Sequence, residues 1–172
     1  VSVGFPGLIR HGKVVTAPNL GTDVFHGFDL AKSLGARLGA PVRAVNDADM
    51  QGLAAIKGRG VEMVITLGTG FGTALFHDGK LQSHLEIAHH PFKKGRTYDQ
   101  MLGDKNRKKL GKKKWNKLVR EAIGNMAVMV NFDPLSLGGG NPPRLELKPT
   151  PHTSIVANSA GLAEDIDDTK VS

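Results

Sequence analysis

Residues 64–80, VITLGTGFGTALFHDGK, admit few local structures. Two runs rich in β-branched and aromatic residues flank glycines at 68, 70 and 72, and a second turn signal, Asp78-Gly79, follows at once. The pattern predicts a β-hairpin with a glycine-rich bend that runs into another hairpin. Phosphate-binding glycine loops usually open a helix. No helical pattern follows here and the Lys-Ser/Thr of a P-loop is missing, so the P-loop and dinucleotide readings both fail. Two readings of the bend remain. Unhindered N–H groups in a tight turn form a concavity for an anion, with the Thr69 and Thr73 hydroxyls as further donors. Alternatively, the glycines only supply a turn that needs positive φ.

Around this hairpin strands and helices alternate. VSVGFPGLI reads as a buried strand broken at Phe5-Pro6-Gly7, and HGKVVTAPNL as a turn, a short strand and another turn. Leu30, Leu34 and Leu38, closed by Gly39, predict an amphipathic helix from Asp29. PVRAVND is a short strand ending in two polar residues, and ADMQGLAAIKG a helix stopped by Gly58. A further helix is predicted over about 113–131, with Trp115, Leu118, Ala122 and Met126 in one stripe. PLSLGGG is a strand running into three glycines, TSIVANS a last strand, and AEDIDDTKVS an acidic tail. This order is α/β, without a long linker.

Composition narrows the function classes. No apolar run approaches the roughly 18 residues of a membrane-spanning helix. VSVGFPGLIRHGK has neither the basic nor the apolar region of a signal peptide. The expectation is a cytoplasmic protein, with further sequence upstream because the chain begins directly in a strand-like run. The absence of Cys excludes disulfides, thiolate chemistry and Cys–zinc sites. The net charge of +7 is concentrated: residues 93–120 are more positive than the whole chain, so the remainder is slightly acidic. Such a patch points to a polyanion, whether nucleic acid, nucleotide or polyphosphate. KNRKKLGKKKWNK also reads as a solvated helix face anchored by Trp115. One aromatic is too few for a stacking platform and no helix-turn-helix accompanies it, which argues against nucleic acid.

Three more clusters could carry chemistry. Asn46-Asp47 stands at a strand end before a helix; Asp47 there is either a base for a substrate hydroxyl or a helix N-cap, a role open to Asp49 as well. In LEIAHHPF, Glu86 and His89 are three apart and suit one polar ligand, the carboxylate accepting and the imidazole donating or accepting. His84, His89 and His90 with Glu86 also raise a metal, but no H-E-x-x-H helix or Cys partner supports zinc. Gly138, Gly139 and Gly140 either receive a flat ligand such as adenine against bare backbone or form a strand-exit turn.

Taken in order, VGFPGLIRHGKVVTAPNLG, AVNDADMQGLAA, TLGTGFGTALFHDGKL, LEIAHHPFKKG and LSLGGGN resemble the ROK family of sugar kinases, in the actin-like ATPase superfamily, and most of all its polyphosphate-glucokinase-like branch. The resemblance covers about residues 1–160. It implies an α/β, actin-like (ribonuclease H-like) sugar kinase fold, with residues 1–47 as the remnant of a small N-terminal lobe. Residues 48–172 are then the large C-terminal lobe, its acidic tail starting near 163. It further implies transfer of a phosphoryl group to O6 of glucose or a close hexose from ATP or inorganic polyphosphate, with Mg²⁺ bridging phosphate oxygens.

By the same resemblance Asp47 is the catalytic base and Asn46 holds neighbouring sugar hydroxyls. Glu86 and His89 match a Glu-x-Gly-His sugar motif, with Ala88 in place of the glycine. That stretch allows His84 or His89 as the sugar ligand, and the spacing from Glu86 favours His89. Asn19 in TAPNL matches a loop near the sugar. Gly68, Thr69, Gly70 and Gly72 match the second of two phosphate hairpins, and Gly138, Gly139 and Gly140 the adenosine-side loop. The basic residues from Lys93 to Lys117 are placed to track a polyphosphate chain. The family's first, Asp-Gly-rich phosphate hairpin has no counterpart, so the chain is read as N-terminally incomplete, with its own activity open. The Cys-rich zinc motif of many relatives is also missing, so no zinc and no protein-held metal are expected. The implied partners are a hexose and the donor, with no membrane and with a homodimer for the full-length protein. The rival reading is a non-catalytic sugar-binding relative, although the N-terminal helix-turn-helix of the family's repressors is not visible.

Overall fold

The computed structural model describes residues 1–147 and 150–156. The chain divides into two compact units, Val1–Met50 and a second that begins at Gln51.

In the first unit β1 (Ser2–Phe5) is followed by a small hairpin, β2 (Ile9–Arg10) and β3 (Lys13–Val14). Next come a single-turn helix α1 (Thr22–Phe25), then α2 (Leu30–Leu38), β4 (Arg43–Asn46) and the start of α3 (Asp47–Leu53). The Leu30–Leu38 periodicity forms the predicted helix. Asp29 caps it by accepting from the Lys32 N–H at 3.0 Å, and Gly39 ends it in left-handed backbone, φ 63°. β1 and β4 pair in parallel with Phe5 opposite Asn46, so the break at Phe5-Pro6-Gly7 lies beside the polar end of β4. Phe5, Val14 and Ala17 form a small core closed by Ile9, Phe25 and Leu30.

The second unit is built on one sheet. β5 (Val61–Leu67), β6 (Phe71–His77) and β7 (Lys80–Leu81) form an antiparallel meander. After it come a hairpin, β8 (Pro91–Lys93) and β9 (Arg96–Thr97), and three helices, α4 (Tyr98–Leu102), α5 (Asp104–Leu110) and α6 (Lys112–Val130). β10 (Leu135–Gly138) and β11 (Thr153–Ile155) then add in parallel on the far side of β5, giving the order β11-β10-β5-β6-β7. The Asp78-Gly79 turn has φ of 49° and 78°, the double positive of a tight two-residue hairpin.

Strand alternation sorts β5 between two cores. Met63, Ile65 and Leu67 face the helical layer with Leu102, Trp115, Val119, Ala122 and Met126, whereas Val64 joins Leu53, Ala74 and Phe76 on the opposite face. Trp115 is fully buried and its Nε1–H donates to the Leu102 carbonyl at 2.8 Å. The predicted stripe on α6 is therefore buried, with Val119 added and Leu118 at its margin.

One expectation changes. α3 stops at Leu53 and does not run to Gly58, because the Lys57, Gly58 and Arg59 N–H groups turn to the buried Glu62 carboxylate at 2.7, 2.6 and 3.0 Å. The basic segment contains a hairpin and three helices. TSIVANS forms a strand over Thr153–Ile155; its last residues, and the acidic tail AEDIDDTKVS, lie outside the described residues.

Candidate functional site

The glycine bend is short. Leu67 pairs with Phe71, so only Gly68, Thr69 and Gly70 form the loop, and Gly72 lies within β6 opposite Thr66. Neither Gly68 nor Gly70 has left-handed backbone, which removes the positive-φ explanation for these two glycines. Gly70 is required for space instead, since a Cβ there would collide with the Asp99 carboxylate. Asp99 Oδ1 accepts from the Phe71 N–H at 3.0 Å and so fixes the far side of the bend.

The loop carbonyls are anchored. The Asp104 N–H, at the start of α5, donates to the Gly68 and Thr69 carbonyls at 3.1 and 3.2 Å, and Asn141 Nδ2 donates to the Gly68 carbonyl at 3.0 Å. In a trans peptide C=O and N–H point in opposite directions. With both carbonyls drawn inward, the Thr69 and Gly70 N–H groups face away from these anchors, and neither donates to a described residue. Two consecutive outward N–H groups on a loop with an exposed Thr69 side chain suit an anion. Thr73 does not add a donor: it is buried, and its hydroxyl donates to the Leu85 carbonyl at 3.3 Å.

The second glycine cluster adjoins the first. Gly139 has φ 91° and lies so close to Leu67 that a Cβ would come within 2.5 Å of its carbonyl oxygen. Two residues on, Asn141 donates its backbone N–H to the Leu67 carbonyl at 2.8 Å. Arg144 Nη1 donates to the Gly140 carbonyl at 2.8 Å, and space beside Gly68 and Gly140 is open. The two predicted donor-binding clusters therefore form one surface.

The sugar-motif residues divide between the units. Asn19 is exposed in the turn before α1. Asn46, not Asp47, is the N-cap of α3, its Oδ1 accepting from the Ala48 N–H at 2.8 Å while Nδ2 donates to the Gly7 carbonyl at 3.0 Å. Asp47 is exposed in the first turn, one oxygen accepting from the same Ala48 N–H at 2.8 Å. In the second unit Glu86 stands between two imidazoles, Oε1 3.7 Å from His84 Nε2 and Oε2 3.8 Å from His89 Nε2. Both histidine registers thus converge on one carboxylate. His84 is the more enclosed, at 13% exposure against 55% for His89. Among the described residues no three His, Cys, Asp or Glu side chains form a metal cage.

The basic segment separates into paired and open charges. Lys93 pairs with Glu121 at 2.6 Å, and Arg107 and Lys108 with Asp104 at 2.6 and 2.7 Å. The Lys108 and Arg107 hydrogen bonds pull the Asp104 carboxyl down to about 2. Lys105 and Lys109 on α5 and Lys113, Lys114, Lys117 and Arg120 on α6 are exposed and have no ion-pair partner among the described residues. α5 begins on the glycine loop, through the Asp104 N–H.

The sequence profile of the ROK family matches residues 1–91, more than half of the chain. The chain belongs to the ROK family. The polyphosphate glucokinase of Mycobacterium tuberculosis (strain ATCC 25618 / H37Rv) is 35% identical over 96 residues, which cover 52% of this ROK chain and 36% of that protein. The Mycobacterium leprae (strain TN) polyphosphate glucokinase is 36% identical over 98 residues, covering 52% and 29%. This ROK chain therefore matches about a third of the length of these relatives. The crystal structure of the inorganic polyphosphate/ATP-glucomannokinase from Arthrobacter sp. strain KM superposes with a TM-score of 0.75 at 31% identity, over 94% of this chain and 70% of that one. A ROK family glucokinase from Streptomyces griseus, in complex with glucose and AMPPNP, has a TM-score of 0.68 at 17% identity over 92% and 77%, and shares the fold. The α/β architecture is that of the actin-like sugar kinases, as expected. Within the described residues no helix is long and apolar enough to cross a membrane.

Sequence reasoning missed Asp99, Asp104, Asn141 and Arg144, which hold the two glycine clusters in place. None belongs to a recognisable spacing. The one available cue was position, Asn141 directly following the triple glycine.

Proposed function

We propose that this ROK chain binds a hexose, glucose or a close relative, and acts in its phosphorylation at O6 with ATP or inorganic polyphosphate as donor. The observation that carries the reading is the pair of outward N–H groups at Thr69 and Gly70, on a bend whose carbonyls are anchored elsewhere. Backbone N–H groups held in advance neutralise phosphate charge without reorganising, which is the main demand of phosphoryl transfer. Gly68 and Gly72 keep the backbone bare beside them, and Gly138, Gly139 and Gly140 supply the nucleoside side. The mycobacterial and Arthrobacter relatives, named for polyphosphate, favour that donor, and the open lysines of α5 and α6 suit it.

In this reading Asp47 takes the proton of O6 and Asn46, its amide fixed by Gly7 and Ala48, orients neighbouring hydroxyls. Glu86 accepts from a pair of hydroxyls while His89 donates, and Asn19 lies at the edge of the sugar. Residues 1–47 are read as the remnant of a small lobe and 48–172 as a large one, and homodimers are expected of the longer protein. Mg²⁺ supplies charge neutralisation on the donor's phosphate oxygens. Beside the loop Asp104 is paired with Arg107 and Lys108 and Asp99 Oδ1 accepts from the Phe71 N–H, so in this reading the ion would be held chiefly through the donor's phosphates. Calorimetry with glucose, followed by a coupled assay for glucose 6-phosphate with each donor, tests the reading. Product formation supports it, binding without product points to a non-catalytic sugar-binding relative, and absence of both removes it.

A further inference from the structure

Asn141 is buried, at 4% exposure, in a strand-exit loop where a polar side chain needs a reason. Each polar part of it is engaged. The backbone N–H reaches the Leu67 carbonyl at 2.8 Å, Nδ2 reaches the Gly68 carbonyl at 3.0 Å, and Oδ1 accepts from Arg144 Nη1 at 3.3 Å. The first two bonds cross from the β10 exit to the glycine bend. The third returns to Arg144, which also holds the Gly140 carbonyl.

We propose that Asn141 is a positioning residue that locks the Gly68–Gly70 bend to the Gly138–Gly140 exit and holds the Thr69 N–H outward for a donor phosphate. This rests on the donor-site reading above. The Gly68 carbonyl and the Thr69 N–H belong to one rigid peptide plane, so pulling the carbonyl inward sets the direction of the N–H. Asp104 shares its single N–H between two carbonyls, at 3.1 and 3.2 Å, so Asn141 supplies the donor to Gly68 that is not shared. Without it only the shared Asp104 N–H holds that peptide, and the Thr69 N–H is less firmly directed at the anion. The hexose residues have no bond to Asn141, so their affinity is unaffected.

The test uses the whole 172-residue chain, with inorganic tripolyphosphate and ATP as separate probes in calorimetry and glucose as the control. Asn141→Ala is expected to weaken tripolyphosphate binding about five- to tenfold, the value of one such hydrogen bond, with glucose affinity unchanged. Turnover should show a raised donor KM and an unchanged glucose KM. Asn141→Ser, which keeps a hydroxyl donor, should recover part of the loss. Tripolyphosphate affinity within twofold of the parent, or glucose binding weakened in parallel, overturns the positioning role. If both variants fail to fold, amide resonances of the parent chain decide: tripolyphosphate must shift Thr69 and Gly70, and shifts confined elsewhere overturn the proposal. A parent chain that binds neither tripolyphosphate nor ATP instead removes the donor-site reading itself.

Discussion

Gly70→Ala isolates what the bend demands of its glycine. Gly70 does not use left-handed backbone, so alanine carries no conformational penalty there beyond the ordinary. The added methyl would instead take the place of Asp99 Oδ1. A carboxylate is the end of a rotatable side chain and can swing aside, but the swing breaks its 3.0 Å bond to the Phe71 N–H. A hydrogen bond to a charged group contributes about 1.5–3 kcal/mol, and that is the expected destabilisation. Asp99→Ala loses the same bond and should cost a similar amount. If both changes act on one interaction, the double variant costs about as much as either single one, a coupling of about 1.5–3 kcal/mol. Urea unfolding of the four proteins, with a common slope, reads the cycle. A Gly70→Ala cost that stays the same once Asp99 is gone would refute the reasoning, because the methyl would then be colliding with something other than the carboxylate.

Other outcomes follow from the same geometry. Asp47→Asn should lower turnover by about 10²–10⁴-fold while glucose affinity stays within about tenfold, because a base acts in the transition state; calorimetry beside the coupled assay separates the two, and intact turnover would leave Asp47 without a catalytic role. Raising ionic strength should cut polyphosphate use steeply and ATP use little, since exposed lysines are screened within about a Debye length of 8–10 Å; equal salt sensitivity of both donors counts against the α5–α6 path. Asp104 has its carboxyl pulled down to about 2 by Lys108 and Arg107. A lowered folded-state value means stability that is present above the unfolded carboxylate's ordinary value of about 4 and lost as pH falls towards the folded one. The advantage of the parent over Asp104→Asn should therefore fade between about pH 4 and pH 2, followed by thermal unfolding, and a constant difference across that range would contradict the pairing.

Much of the fold was legible because its signals are local. Leu30, Leu34 and Leu38 with Asp29 and Gly39 mark both ends of α2, and Asp78-Gly79 marks a two-residue turn. Capping was read one residue late: Asp47 was offered as the cap, and Asn46 performs it because β4 ends there and its side chain can also reach Gly7. The helix expected to continue to Gly58 shows a different limit. Glu62 sits within an apolar strand, and its buried carboxylate gathers three N–H groups that a longer helix would have used. A lone charge inside VEMVITL was the cue, but its partners lie in the preceding loop and no periodicity connects them.

The candidate site shows the same division between local and distant information. A glycine in sequence says that a side chain is unwelcome without saying why, and here the reasons differ between neighbours. Gly139 needs its φ of 91° and has the Leu67 backbone against it, whereas Gly70 has ordinary backbone and a carboxylate against it. The spacing of Gly68, Gly70 and Gly72 alone therefore could not separate an anion loop from a strained turn. What separates them is where the carbonyls go. A bend whose carbonyls pointed to solvent would turn its N–H groups inward and offer an anion nothing. This one spends its carbonyls on Asp104 and Asn141, residues 36 and 73 positions from Gly68, and the anion-facing donors follow from the planarity of the peptide.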